Sequence, residues 1–420
     1  MKVQEVASLV LLVLGAAGCS SKSTPAGKAD SGNPSQTDSG GDTGSAPSDA
    51  SGETGPTDAG LDSSIPSEVG TPDAPPGDGG NPLVELASCL GMSQPLTIGG
   101  QMPYVSVAVT AGGGADGGVD GGADGGTESG EFVLDFASTY SSIDLTAFTT
   151  TPVTSMCDPT MLFEVCTLPT FSFFGPQGPV LLTTESFAGV GGSVRQAGII
   201  ATDFLSEGIF TLAYGAGEVF DATSTSFCSN AAMTQAGFAP LTTKGYYEND
   251  LSLLVPYTTV DSNGEANTTV EDVPTVSVQI AGAPALAQLD TGFDDSVTKY
   301  SVNINEAFLA AIQAKNPNAL VRDTTLDEML TTCVNNVSEP VLGYRLASGI
   351  SFGFAGAGGT VVRSYPDAVI FVKDTPAAAA NCGGIGVWTV PAAQVAASFY
   401  NDMGIIAFDP YHEQVWIPTN

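Results

Sequence analysis

The chain has 420 residues, of which 11 are Lys or Arg and 45 are Asp or Glu, so its formal net charge is −34. A polyanion is repelled by nucleic acid and by anionic lipid headgroups, which argues against either as a partner. The single histidine, His412, argues against histidine-dependent catalytic triads and histidine-rich zinc sites. Carboxyl groups remain as the candidate chemistry, and we expect neither a metal nor a cofactor.

The start of the chain predicts an export signal with a lipid anchor. Residues 1–18 contain a short apolar run, too short to span a bilayer, and small residues directly precede Cys19. This pattern resembles a bacterial lipobox, whose cysteine is lipidated after cleavage; an ordinary secretory signal is the alternative. Residues 19–82 are almost entirely Ser, Gly, Asp, Thr, Pro and Ala, which predicts a disordered tether. We therefore expect a protein that is exported and lipid-anchored to the bacterial cell envelope, with its folded body outside the cytoplasm.

From residue 83 onward the composition predicts a globular body that is mostly β. Val, Ile, Phe and Thr recur in short runs between Gly, Pro and Asn. Helical patterns are confined to residues 305–315, 325–334 and 391–402. Roughly 335 residues exceed the usual size of one domain, so we expect two lobes with separate cores.

Two similar segments each lead to an aspartate. Residues 103–112 and 274–282 alternate apolar and polar side chains and end at a glycine turn, as half-buried strands do. An apolar run then leads to Asp135 in the first segment and to Asp290 in the second, and a turn follows each. A repeated hairpin with an aspartate at the end of its second strand predicts two related lobes that face each other.

This arrangement resembles the bilobal pepsin-like aspartic proteases over roughly residues 83–420. The resemblance implies an all-β fold with few short helices, in a two-lobed, acid-protease-like double-ψ β-barrel architecture. It places an N-terminal lobe at residues 83–258, an inter-lobe linker at residues 259–273 and a C-terminal lobe at residues 274–420.

By the same resemblance, Asp135 and Asp290 would be the catalytic dyad. Two carboxyl groups about 3 Å apart cannot both ionise, so they share a proton, and the ionised member can take a proton from a bound water. Ser138, Thr291 and Gly292 would support the dyad. Ser138 supplies a hydroxyl after the first motif, Thr291 a brace to the opposite lobe, and Gly292 a tight turn.

Several residues depart from the family's pattern. Phe136 occupies the place of a bracing threonine and has no hydroxyl, Ala137 and Ala201 replace glycines, and Phe293 replaces a hydroxyl residue. The flap hairpin would be residues 170–187. It contains no tyrosine, and its candidate contact residues are Phe173 and Phe174.

Seven cysteines leave six if Cys19 is lipidated, and an even number in an exported chain indicates disulfides. Six cysteines allow 15 pairings. The pepsin-like family often has a small disulfide loop soon after the first Asp turn, and two further cysteines share the second lobe. The expected pairs are therefore Cys157–Cys166, Cys333–Cys382 and, from the remaining two, Cys89–Cys228. Buried free thiols are the alternative.

Two functions are compatible with these features. One is a surface-anchored aspartic endopeptidase that hydrolyses polypeptides through the Asp–Asp dyad and a bound water. The other is a catalytically inactive aspartic-protease-like lipoprotein that binds a peptide or protein partner. In both, a polypeptide would lie in the cleft between the lobes of a monomer. A close Asp pair favours the enzyme, and separated carboxylates favour the binding protein.

Overall fold

The computed structural model describes residues 82–111, 126–158, 164–187, 193–244, 255–260, 266–271, 273–295, 298–332, 334, 336–382 and 384–419. The predicted signal peptide, the lipidation site Cys19 and the predicted tether up to residue 81 lie outside these residues. The described residues belong to one compact unit.

Strands dominate the described part of the chain. In chain order they are β1 (Met92–Pro95), β2 (Thr97–Gly99), β3 (Met102–Thr110), β4 (Thr127–Leu134), β5 (Ser142–Ile143), β6 (Ser155–Asp158), β7 (Val165–Leu168), β8 (Phe171–Ser172), β9 (Pro176–Gln177), β10 (Val180–Thr184), β11 (Gln196–Ile200), β12 (Ile209–Ala213), β13 (Glu218–Ala222), β14 (Phe238–Lys244), β15 (Val255–Val260), β16 (Ala266–Glu271), β17 (Thr275–Ile280), β18 (Ala283–Leu289), β19 (Ser301–Asn305), β20 (Leu320–Arg322), β21 (Glu328–Thr331), β22 (Ser338–Leu346), β23 (Phe352–Ala355), β24 (Val361–Tyr365), β25 (Val369–Lys373), β26 (Ala392–Val395), β27 (Ile405–Asp409) and β28 (Gln414–Pro418).

The helices of the described residues are short. The α-helices are α1 (Pro82–Leu86), α2 (Thr202–Leu205), α3 (Asn230–Gln235), α4 (Glu306–Lys315) and α5 (Ala397–Met403). The 3-10 helices are Leu145–Ala147, Tyr214–Ala216, Thr324–Leu326, Ala357–Gly359, Ala377–Cys382, Ile385–Val387 and Pro410–His412. Within the described ranges, no helix has the length and apolar character needed to cross a membrane.

The strands form two large curled sheets, which confirms the all-β, two-lobed fold. Strands β2 to β11 make a 10-stranded sheet, and β1, β12 to β14 and β17 to β28 make a 16-stranded sheet. Antiparallel pairing of β12 with β27 extends the second sheet to strands from the predicted N-terminal lobe. The hairpin of β15 and β16 forms a separate sheet and includes part of the predicted linker. The exact lobe boundaries stay a prediction.

The repeated hairpins are present as expected. Strand β3 pairs with β4, and β17 pairs with β18, both antiparallel. Toward the end of strand β3, buried side chains alternate with more exposed ones, as expected for a strand with one face on the core and the other toward solvent. A later strand then runs parallel to the second strand of each hairpin, β11 beside β4 and β26 beside β18. Each aspartate therefore sits at the end of a strand whose two neighbours fix its position.

Two of the three expected helical segments were wrong in whole or in part. Helix α4 confirms the first, and the Asn305 side chain caps it by accepting a hydrogen bond from the Phe308 amide at 2.9 Å. Residues 325–334 instead contain the strand β21, which pairs with β22. Residues 391–402 divide into strand β26 and most of helix α5. Both errors arise because strand pairing overrides the local helical pattern: β21 forms a hairpin with the next strand, β22, and β26 pairs with the sequence-distant β18.

Two of the expected disulfides are confirmed. Cys89 is bonded to Cys228, and Cys157 to Cys166. The third expected pair cannot be placed in the same way, because Cys333 and the side chain of Cys382 lie outside the described residues. The confirmed bridges are typical of proteins that fold in an oxidising compartment.

The two bridges should differ in their effect on stability. Cys89 and Cys228 are separated by 139 positions, whereas Cys157 and Cys166 are separated by 9. In the chain-entropy account, replacing the first pair with alanine should lower the free energy of unfolding by about 5 kcal/mol, and replacing the second by about 2.5 kcal/mol. Denaturant unfolding of the two variants measures both values. An equal or reversed ranking would contradict this expectation.

Candidate active site

The structure brings the two predicted catalytic aspartates together. Asp135 follows β4 and Asp290 follows β18, and the amide of each donates to the neighbouring parallel strand, to the carbonyls of Ile200 at 2.9 Å and Val395 at 3.0 Å. Each aspartate is only 5 % exposed. Their carboxyl groups form a hydrogen bond with each other, so one proton can be shared between them.

Asp135 accepts hydrogen bonds at both carboxyl oxygens from its own turn. The Ala137 amide donates to Oδ1 at 2.8 Å, and the Ser138 hydroxyl donates to Oδ2 at 2.6 Å. Burial raises the pKa of Asp135, while the Ser138 hydroxyl and the Ala137 amide favour the ionised form and limit that rise. Ser138 thus has the supporting contact that the sequence predicted for it.

Asp290 likewise accepts hydrogen bonds at both of its carboxyl oxygens. Its Oδ1 accepts from the Gly292 amide at 3.0 Å, and its Oδ2 accepts from the Gln394 side-chain amide at 2.5 Å. Burial raises the pKa of Asp290 well above its ordinary value, and the nearby Asp135 carboxylate raises it further. The two amides and the positive charge of Lys373 oppose this rise without cancelling it. Burial and the neighbouring Asp135 carboxylate therefore favour one shared proton on the pair.

A single threonine braces the two halves of the dyad. The Thr291 hydroxyl donates to the Leu134 carbonyl at 2.6 Å and accepts from the Phe136 amide at 3.1 Å. Phe136 cannot return this contact from the first lobe, because its side chain has no donor. Its ring is instead fully buried and stacks on Phe408, with the ring centroids 3.6 Å apart. At position 136, aromatic packing thus takes the place of the hydroxyl that would brace the first lobe against the second.

Gly292 is required by the close approach of the two turns. A Cβ atom at this position would lie 2.6 Å from Oδ2 of Asp135, closer than a Cβ atom approaches a non-bonded oxygen. The corresponding first-lobe residue is Ala137, which has a Cβ atom. Only the second-lobe turn therefore requires a glycine at this position. The glycine therefore allows Asp135 to approach the Asp290 turn.

Gln394 is a site residue that no local sequence pattern indicates. Its Oε1 accepts from the side-chain amide of Asn303 at 3.1 Å, which fixes the amide orientation and directs its Nε2 to Asp290. In the first lobe, Oδ2 of Asp135 accepts a hydrogen bond from the Ser138 hydroxyl. The equivalent second-lobe residue is Phe293, and Gln394 supplies the missing donor from strand β26. No local pattern predicts this contact, since it depends on the parallel pairing of β18 with β26.

Gln394→Leu should change the pH dependence of any activity at the dyad. The Gln394 amide donor favours the ionised form of Asp290, so its loss should raise the pKa of Asp290 further. The fall of activity on the alkaline side of the pH–activity profile (its alkaline limb) should then move to higher pH. Weaker orientation of Asp290 should also lower kcat by roughly tenfold. Asn303→Ala, which leaves Gln394 present but less well oriented, should shift the limb less in the same direction. A Gln394→Leu profile that superimposes on the wild-type profile would contradict this role.

The candidate flap residues pack on the core side of their hairpin. Phe173 is buried, and its ring lies 5.0 Å from that of Phe174 and 5.7 Å from that of Phe210 on β12. The Phe174 amide donates to the Gln94 side chain at 3.1 Å. These contacts join the hairpin to the 16-stranded sheet, and a role in covering the dyad stays a prediction.

One cluster of metal-ligand types occurs among the described residues. It consists of Cys157, Glu164 and Cys166, whose ligand atoms lie within 4.8 Å of one another. The two cysteines are bonded to each other, so neither is a thiolate that could bind a metal ion. The cluster is therefore explained by the disulfide loop.

No protein-family model matches the chain, and no curated protein sequence matches it. Among solved structures it is similar to the crystal structure of basic 7S globulin from soybean, with a TM-score of 0.35 and 10 % sequence identity over 78 % of this chain and 94 % of that chain. Similarity at this level carries no argument about function, which has to be inferred from the geometry of the dyad.

Proposed function

We propose that the chain is an aspartic-type endopeptidase that hydrolyses polypeptides at Asp135 and Asp290. The observation that supports this proposal is the pair of buried carboxyl groups hydrogen-bonded to each other. Burial of two acidic groups in contact is costly, because the charged forms are desolvated and repel each other. Such a pair is typical of sites that use one shared proton in catalysis.

In this proposal Asp290, whose pKa is raised by burial and by the Asp135 carboxylate, carries the shared proton, and Asp135 carries the negative charge. Ionised Asp135 takes a proton from a water held between the two groups, and the water oxygen attacks the peptide carbonyl carbon. Protonated Asp290 donates a hydrogen bond to the carbonyl oxygen and stabilises the negative charge that develops there. The tetrahedral intermediate then collapses as the leaving nitrogen accepts a proton from the pair.

A non-catalytic peptide-binding protein is the second candidate. Two features favour it: the loss of the first-lobe brace at Phe136, and the occupation of one oxygen of Asp290 by the Gln394 amide. Both could weaken catalysis, but neither separates the two carboxyl groups. The close pair favours the enzyme.

The test uses an unfolded, reduced and alkylated protein substrate across acidic to neutral pH, with fragments identified by mass spectrometry. Wild type should produce internal cleavages that are most abundant at acidic pH, and Asp290→Asn should produce none. If wild type leaves the substrate intact at every pH while it still binds peptides, the binding function replaces the peptidase.

We also propose that the body works outside the cytoplasm on a lipid anchor at Cys19, as a monomer. The two disulfides support export, and the residues around Cys19 support the anchor. Cys19→Ser should move the protein from the membrane fraction to the soluble fraction or stall its processing. Membrane association that is unchanged in this variant would contradict the anchor.

A further inference from the structure

The candidate flap hairpin, formed by β8 and β9, bridges the two large sheets. Its base belongs to the 10-stranded sheet, where Phe171 pairs with Val109 of β3 and its ring meets the edge of the Phe132 ring, with the centroids 5.6 Å apart. Its tip reaches the 16-stranded sheet, where the Phe173 ring stacks on the Phe210 ring with the centroids 5.7 Å apart. Aromatic side chains therefore attach the hairpin to both sheets.

The turn at the tip of the hairpin is strained. Phe174 has a φ of 50°, in the left-handed region that is unfavourable for a residue with a Cβ atom. Its amide donates to the Gln94 side chain at 3.1 Å, and its ring lies 5.9 Å from the Phe210 ring. A strained residue persists only where its surroundings hold it in place. Phe210, which packs against both phenylalanines of the turn, is one of the residues that hold it.

Phe210 also connects the hairpin to the dyad. Strands β12 and β27 pair so that Phe210 lies directly opposite Phe408. Directly opposite residues of an antiparallel pair point to the same face, with Cβ atoms about 4.5–5.5 Å apart, so the two side chains are neighbours. The Phe408 ring stacks on the Phe136 ring with the centroids 3.6 Å apart. Because Phe136 directly follows Asp135, a series of rings runs from the hairpin tip to the turn after Asp135.

The rings of this series are all buried in one hydrophobic cluster. In a close-packed core, a side chain cannot shift without displacing the side chains that it touches. The backbone of Phe136 is also held by the Thr291 hydroxyl, which accepts from its amide at 3.1 Å. Ring packing and this hydrogen bond therefore fix together the residue that follows Asp135.

We infer that Phe210 and Phe173 are positioning residues for the dyad, an inference that deepens the proposed function and rests on it. Acting through Phe408 and Phe136, their rings hold the turn after Asp135 against the second half of the dyad. The packed series takes the structural place of the hydroxyl that Phe136 lacks. The geometry of the dyad thereby depends on the hairpin, and a hairpin displaced from Phe210 loosens the carboxyl pair.

The test compares three leucine variants of the full chain. Phe210→Leu and Phe173→Leu shorten the series of rings, and Phe354→Leu is the matched control. Phe354 is also buried, but its ring packs against Phe352 and Phe399, neither of which belongs to the series. Each variant removes the same volume from the core and changes no charged group.

The first measurement is steady-state kinetics on a cleaved peptide, below the Tm of each variant. Phe210→Leu and Phe173→Leu should each lower kcat at least about tenfold, because small displacements of reacting groups are costly. Their KM should change by less than about threefold, since the loss is in the positioning of the dyad rather than in substrate binding. Phe354→Leu should leave both kcat and KM within about threefold of wild type.

The second measurement needs no turnover. A carbon-13 NMR titration of the aspartate carboxyl carbons gives the pKa of Asp290, which burial raises and the Asp135 carboxylate raises further. A looser pair is less buried and less strongly repelled, so this pKa should fall by about half a pH unit or more in Phe210→Leu and Phe173→Leu. It should not change in Phe354→Leu. The charges of Asp135 and Lys373, which act on Asp290, are unaltered in every variant.

Equal shifts of the pKa in Phe210→Leu and Phe354→Leu would overturn the inference, as would a kcat and pKa in Phe210→Leu that match wild type. If Phe210→Leu does not fold, Phe173→Leu at the end of the series gives the same comparison. Failure of the proposed function is separate, since it is read as absence of hydrolysis by wild type, and the titration then still decides whether the rings position the pair.

Discussion

Asp290→Asn should lower kcat for peptide hydrolysis by about a thousandfold or more while the fold is retained. The asparagine amide can occupy the same space and accept from Gly292, but it cannot supply the shared proton. The remaining carboxyl group, Asp135, would lack the partner that polarises the scissile carbonyl. Steady-state kinetics on a cleaved peptide, with circular dichroism as the check on folding, gives the comparison. Residual activity within tenfold of wild type would contradict the role of Asp290.

The same variant should be stabilised at neutral pH. Burial raises the pKa of Asp290 in the folded protein, so its contribution to stability is complete below the ordinary aspartate pKa of about 3.9 and is lost as pH rises through the raised value. Asparagine does not ionise and does not incur this loss. The Tm of Asp290→Asn relative to wild type should therefore increase from about pH 4 to about pH 7.

Asp402→Asn is a control for this pH dependence, because it should change the Tm at neutral pH in the opposite direction to Asp290→Asn. Burial acts to raise the pKa of Asp402, but hydrogen bonds from Tyr300 and Lys299 outweigh it and hold the pKa below its ordinary value. The ionised form is therefore stabilising above the ordinary pKa, and its loss should lower the Tm at neutral pH. A Tm difference of the same sign in both variants would show that the explanation from burial of Asp290 is wrong.

Thr291→Val should have the second large effect, because it removes the polar brace without changing the volume of the side chain. The Leu134 carbonyl and the Phe136 amide would both lose a buried partner. We expect a loss of about 2–5 kcal/mol in the free energy of unfolding. A shift of about 1 Å between the two turns would also lower kcat on the order of a hundredfold.

A matched control separates the hydrogen bonds of Thr291 from the polarity of the side chain. Thr211 is equally buried, but its hydroxyl has no partner among the described residues. Thr211→Val should therefore be neutral or stabilising. Similar losses of stability in Thr291→Val and Thr211→Val would contradict a bracing role for Thr291.

Replacing Phe136 with threonine would not simply restore the missing hydroxyl brace of the first lobe. From sequence alone, Phe136→Thr combined with Ala137→Gly is expected to raise activity by supplying the second hydroxyl. The Phe136 ring, however, is fully buried against Phe408. Its removal would leave a cavity that costs about 3–5 kcal/mol. The double variant should therefore have a lower Tm, and any gain in kcat from the new hydroxyl has to be measured at a temperature below that Tm.

The sequence predicts the elements whose signal is local. Asp135 and Asp290 were identifiable because an apolar strand and a turn surround each aspartate, and the repetition of this pattern indicated two lobes. The Cys157–Cys166 loop was predicted because its position soon after the first Asp turn matches the small disulfide loop of the family that the sequence resembles. In each case the structure that forms is determined by residues within a short window.

The sequence does not predict contacts that depend on distant pairing. The role of Gln394 requires β26 to lie beside β18, and residues 391–402 on their own have a helical pattern. Strand β21 is a different case, because it forms a local hairpin with the next strand, β22, which the helical pattern of residues 325–334 concealed. The packing of Phe173 on Phe210 joins two sheets and has no sequence signal. Long-range pairing and inter-sheet packing therefore explain why the role of Gln394 and the packing of Phe173 could not be predicted.

The most direct test of the shared proton is a carbon-13 NMR titration of the full chain labelled at its aspartate carboxyl carbons. Comparison of wild type with Asp290→Asn identifies the resonance of the pair. One carboxyl group should stay protonated well above the ordinary aspartate pKa of about 3.9, because burial and the neighbouring Asp135 disfavour its ionisation. If every aspartate resonance of wild type titrates near the ordinary value, the two carboxyl groups share no proton, and the proposed mechanism is wrong.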